Sequence, residues 1–229
     1  MLLATYVVVV VVVLVAEAFG SPLAVVAGWF AMPLLAEMVV VSVDPPRPRE
    51  VVLVVAALGF FFLGHALPGL LPADAGVAVL FVMHGVGFAG YLAALFPQRR
   101  ESLAWTNRSW LGLYGLFYVV LVFAVRDRSG PLLVPLLVFG AIAVAVAILS
   151  SALGLSAAFG GALVLLSNGL TAMHEFTPGW DKPGLGFWIA LTGLAGQGLF
   201  MAGVLQRWQT DAERALRRWS QAPQPAGSR

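Results

Sequence analysis

A chain of 229 residues that is 60% hydrophobic and 10% charged, with a mean hydropathy of +0.93, excludes a soluble globular domain, where about a quarter of residues carry charge. The absence of cysteine excludes disulfides, thiolate metal sites and a cysteine nucleophile. The net charge of +2 and a pI of about 9.4 do not argue for nucleic acid, because the basic residues lie in short loops and a tail, where membrane topology accounts for them.

Taken in chain order, proline, glycine and charge cut the apolar sequence into eight segments. They cover residues 2–19, 23–43, 51–71, 75–96, 103–125, 132–150, 153–173 and 184–205. Most approach the roughly 20 residues that cross a hydrocarbon core about 30 Å thick. The first segment starts almost at residue 1, without a basic leader or a small-residue cleavage site, and reads as a retained span. The cut at Ser150-Ser151 carries no charge. It is required by length, because residues 132–173 as one helix would run about 63 Å.

Loop charge gives the segments a direction. With eight spans, Arg47, Arg49, Arg99, Arg100, Arg108, Arg207, Arg214, Arg217, Arg218 and Arg229 share one side, and Arg126, Arg128 and Lys182 lie on the other. Basic residues collect on the cytoplasmic side. The expected fold is therefore an all-α polytopic membrane bundle of about eight transmembrane helices, with the N and C termini cytoplasmic. It comprises a membrane domain over residues 1–205 and a basic tail over 206–229. The tail is amphipathic from Trp208 to Trp219 and disordered from Pro223. Twelve arginines against one lysine, with heavy use of Val, Ala, Leu and Gly, suit a GC-rich bacterial genome and so a bacterial cytoplasmic membrane.

Without a soluble domain, chemistry falls to the few polar groups within the spans. Counting residues puts His65 about 9 Å, Asn168 about 8 Å and His84 about 14 Å below the outer surface, with Glu37 and Gln197 at about 20 Å. Glu17, His174, Glu175, Asp74 and Asp181 fall at the outer rim. Overlapping depth on several helices suits one cavity open toward the outer leaflet, although single His or Asn residues also serve as interhelical hydrogen-bonding glue. Glu37 stands apart, since a carboxylate in hydrocarbon must be protonated, paired or wet. His65 and His84 are too few ligands to imply a metal, and no Walker loop, HExxH or serine elbow occurs. No cofactor is expected.

In order and spacing, these positions resemble the YhhN family of membrane proteins, which includes the lysoplasmalogenases. The stretches that carry the resemblance are Met32-Pro33-Leu34-Leu35, FFFLGHALPGLLP ending at Pro72, VLFVMHGVGFAGYLAALF around His84, GGALVLLSNGLTAMHEF with Ser167-Asn168, and GLAGQGL with Gln197. The resemblance implies hydrolysis of the vinyl ether bond of a lysoplasmalogen to a fatty aldehyde and a glycerophospho-alcohol. It also implies a lysophospholipid-like single-chain lipid as partner. Two residues depart from the family pattern: Met32 stands in place of Lys, and His65 in place of Asp. Either Glu37, His65 and His84 carry proton transfer while Ser167, Asn168 and Gln197 orient water and substrate, or the chain is an inactive relative that binds or transports lipid. Oligomeric state is not legible.

Overall fold

The computed structural model describes residues 1–177, 179–180 and 182–220. Among these there is no strand, and ten α-helices follow in order. They are α1 (Leu2–Ala18), α2 (Leu23–Gly28), α3 (Ala31–Ser42), α4 (Arg49–Ala66), α5 (Ala73–Leu95), α6 (Leu103–Thr106), α7 (Ser109–Val125), α8 (Leu133–Ser150), α9 (Leu155–Phe176) and α10 (Leu185–Ser220). Six helical stretches are long and apolar enough to cross a membrane: Leu23–Ser42, Arg49–Leu70, Ala73–Thr106, Gly130–Leu153, Leu155–Phe176 and Leu185–Arg214. Two further apolar helices, α1 and α7, have 17 residues each. The membrane class expected from composition is borne out. Large apolar side chains such as Val8, Leu116 and Val134 cover the outside of the bundle, an arrangement suited to lipid rather than water.

The uncharged cut after residue 150 is real. α8 ends at Ser150, a 3-10 turn covers Ser151–Leu153, and Gly154 reverses the chain at φ +107°, a conformation natural to glycine. Elsewhere the helices depart from the expected segments. The second segment is two helices, because Pro33 has no N–H to give and its ring opposes the carbonyl of Trp29, so the break falls at Trp29-Phe30. α4 stops at Ala66 instead of running to residue 71, because Pro68 has no N–H to continue the ladder; Leu67 keeps a helical backbone and a 3-10 turn follows over Pro68–Leu70. The last helix does not stop at residue 205. It continues to Ser220, so span and amphipathic tail are one helix, while the expected disorder from Pro223 lies outside the described residues.

Six helices close a ring in which α3 packs on α4, α4 on α5, α5 on α8, α8 on α9, α9 on α10 and α10 back on α3. α1 leans on α3 and α10, and α7 on α8 and α9. Lipid offers helices no hydrophobic drive to associate, so close backbone packing must hold them. The α9–α10 seam supplies it. A Cβ on Gly196 would lie 2.8 Å from the Val164 backbone nitrogen, and one on Gly203 2.6 Å from that of Ala157. Inside the ring, Phe61, Phe88, Tyr91 and Phe200 are nearly fully buried and stack edge to edge, with Phe61–Phe88 centroids 5.1 Å apart and Tyr91–Phe200 4.8 Å. Phe61 of this aromatic layer lines the cavity described next.

Candidate functional site

A cavity of about 290 Å³ opens within the ring. Its walls come from the C-terminal halves of α1, α4 and α9 and the N-terminal halves of α3, α5 and α10, with α2 closing one side. Of the expected site residues, His65, His84, Ser167, Asn168 and Gln197 line it together. Glu37 does not. It is exposed on the outer side of α3, away from the cavity, so a role shared with the other five finds no geometric support. Depth along a helix does not fix rotation about its axis, which is why counting residues put Glu37 with the others.

His84 is the most constrained polar group. It is 6% exposed, and its Nδ1 lies 2.8 Å from the carbonyl oxygen of Leu80 one turn earlier. A carbonyl only accepts, so Nδ1 donates, and the neutral ring keeps its lone pair on Nε2. The ring stands edge-on to His65, with centroids 4.8 Å apart at 85°, and to Phe61 at 5.3 Å. His65 itself is exposed to the cavity, on the last turn of α4 rather than the third of the way into the core that counting gave it.

Gly64 makes this pairing fit. A Cβ there would lie 2.5 Å from Nδ1 of His84 and 2.7 Å from its Cε1. Because the obstructed atoms belong to a side chain, Gly64→Ala should move the ring and break the Leu80 bond while leaving the melting temperature within a few degrees. The expected readout is a displaced His84 resonance in NMR of selectively labelled protein.

Three more groups are oriented by bonds within the bundle. Tyr91, 1% exposed, donates its hydroxyl to Oε1 of Gln197 at 2.9 Å, which leaves the Gln197 amide N–H groups for the cavity. Asn168 donates Nδ2–H to the Val164 carbonyl at 2.8 Å and so presents Oδ1 as an acceptor. Ser167 gives its proton to the Ile189 carbonyl at 2.8 Å, a tie between α9 and α10. The site thus offers an acceptor from Asn168, donors from Gln197, a lone pair on His84 and the accessible ring of His65. Apolar walls from Val13, Leu80, Ile189 and Leu194 surround them.

Some residues that shape the site were not anticipated, among them Tyr91, which holds Gln197 without itself lining the cavity. Tyr91 sits two turns after His84 on the same face of α5, a spacing that hinted at it. Glu17, expected at the rim, lines the cavity together with Trp29 and Thr171, and Met32 shares it with His65. His174, Glu175 and Asp74 stay outside it, and Asp181 lies outside the described residues. Among the described residues, no group of three or more His, Asp or Glu comes together as metal ligands would.

A cavity with apolar walls and a few converging polar groups inside an all-helical membrane bundle has the general form of a small-molecule site. The chain belongs to the YhhN family, whose model matches residues 23–204. The resemblance carried by the five motifs is therefore borne out. No curated protein and no solved structure matches the chain.

Proposed function

We propose that the protein is a lysoplasmalogenase-like hydrolase that cleaves the vinyl ether bond of a single-chain lysophospholipid. The observation that carries this reading is the meeting of His65 and His84, edge to edge, in the apolar-walled cavity of a YhhN-family bundle. Hydrolysis of R–CH=CH–O–R′ adds a proton to the outer vinyl carbon and water to the oxygen-bearing carbon. The resulting hemiacetal then separates into R–CH₂–CHO and HO–R′. An acid, a base and a positioned water suffice. The two imidazoles carry the protons, and Asn168 Oδ1 with the Gln197 amide holds the water. Glu37 has no part in this scheme.

The test is aldehyde release from a defined lysoplasmalogen by the purified protein. Release above an empty-vesicle control supports the reading, and release equal to that control ends it. A second reading, an inactive relative that binds or transports lipid, draws on one specific observation. Met32 and His65, which replace the Lys and Asp of the family pattern, both line the cavity. Saturable lipid binding without aldehyde release would favour it.

In the proposed topology the chain crosses the cytoplasmic membrane of a bacterium eight times, with both termini inside and the cavity toward the outer leaflet. The natural lack of cysteine makes this easy to check. Arg128 and Ser220 are both exposed. In intact cells, Arg128→Cys should react with a membrane-impermeant maleimide, and Ser220→Cys should react after permeabilisation alone. The reverse pattern would invert the topology.

A further inference from the structure

We propose that Glu17 determines head-group specificity, by receiving the ammonium group of a zwitterionic single-chain lipid at the mouth of the cavity. This rests on the reading of the cavity as a lysolipid site and adds to it the chemistry of the group recognised.

The carboxylate of Glu17 is distinctive in four respects. Among the described residues that line the cavity it is the one carboxylate, and no Lys or Arg is among them, so a phosphate or carboxylate ligand would find no fixed cation in that lining. It is the penultimate residue of α1, which puts it at the end of a membrane helix, where a head group would lie. Its oxygen is seated on Gly186 in the first turn of α10, where a Cβ would approach Oε2 to 2.5 Å. Among the described residues it has neither a hydrogen bond nor an ion pair. The start of a helix favours an anion through its partial positive charge, but supplies no counter-ion.

Trp29, directly after α2, also lines the cavity, and its buried Nε1 has no acceptor among the described residues. A carboxylate and an indole lining one cavity are the kinds of group that recognise an alkylammonium ion. Among the described residues neither imidazole forms an ion pair with Glu17. Glu17 also precedes the segment matched by the family model, so the motifs shared with the family do not include it.

The test uses the purified full chain in nanodiscs and titration calorimetry with non-cleavable alkyl-ether lysolipids carrying phosphocholine or phosphoglycerol head groups. The expected result is at least a tenfold preference for phosphocholine in the native protein. Glu17→Gln should collapse that preference to within about twofold, and Glu17→Asp should keep most of it. Retained phosphoglycerol binding reports that the Gln variant is folded. Equal affinity of the native protein for both lipids, or an equal loss of both in Glu17→Gln, overturns the proposal. Because the ligands cannot be cleaved, absent aldehyde release would end the hydrolase reading without touching this result. Active enzyme with no head-group preference would do the converse.

Discussion

His84→Ala should reduce aldehyde release by about a hundredfold or more, and His65→Ala by a similar factor, with insertion and melting close to native. Acid–base groups positioned in an active site contribute about 10²–10⁴ in rate. The two residues should lose comparable amounts if each performs one of the two proton transfers. Their structural roles are small by comparison. His84 makes one bond to the backbone of its own helix, and His65 is exposed to the cavity. Tyr91→Phe is the informative contrast. It removes the hydroxyl that fixes the Gln197 amide but leaves both imidazoles in place, so the loss should be about tenfold or less, the worth of one hydrogen bond. A Tyr91→Phe loss as large as that of His84→Ala would shift the essential chemistry from the imidazoles to the Gln197 amide.

The second large effect is on stability. Gly160→Ala should destabilise the bundle by about 1–3 kcal/mol, the usual cost of forcing atoms into a filled interior. The added Cβ would meet the backbone nitrogen of Phe200 and lie 2.6 Å from the carbonyl oxygen of Gly196, and neither is a flexible side chain that yields. Gly112→Ala in α7 is the control, since nothing lies within 4 Å of its position and alanine favours a helix over glycine. Differential scanning fluorimetry in detergent should show a fall of several degrees for the first and none for the second. Equal melting temperatures would mean that the seam is looser than described.

What the sequence made legible follows from what it encodes locally. The all-helical membrane class and the order of the helices are written in apolar length and in punctuation such as Ser150-Ser151, where a 42-residue stretch had to be two helices and Gly154 supplied the turn. Motif order identified the family, and five of the six expected site residues share the cavity's walls. Rotation about each axis was not legible. A helix apolar on every side has no polar face to betray its inward direction, so Glu37 and Gln197 looked alike in depth although one faces outward and the other is 4% exposed. The same limit applies to Glu17, whose place at the rim says nothing of direction; the packing of α10 against α1 turns it to the cavity. The breaks at Trp29-Phe30 and before Pro68 were readable from proline, yet apolar length alone drew the spans straight through them.

The division at Trp29-Phe30 gives the cavity walls of unequal stiffness. Along α9 and α10 the backbones touch, and parting them would cost contacts all along the seam. α2 is six residues long, buries Ala24 alone, and packs chiefly on α1. A segment with so few buried contacts opens at low free energy compared with the bundle as a whole. Of the helices around the cavity, α2 is thus the one whose displacement would break the fewest packing contacts, and α9 and α10 are the frame against which it would move.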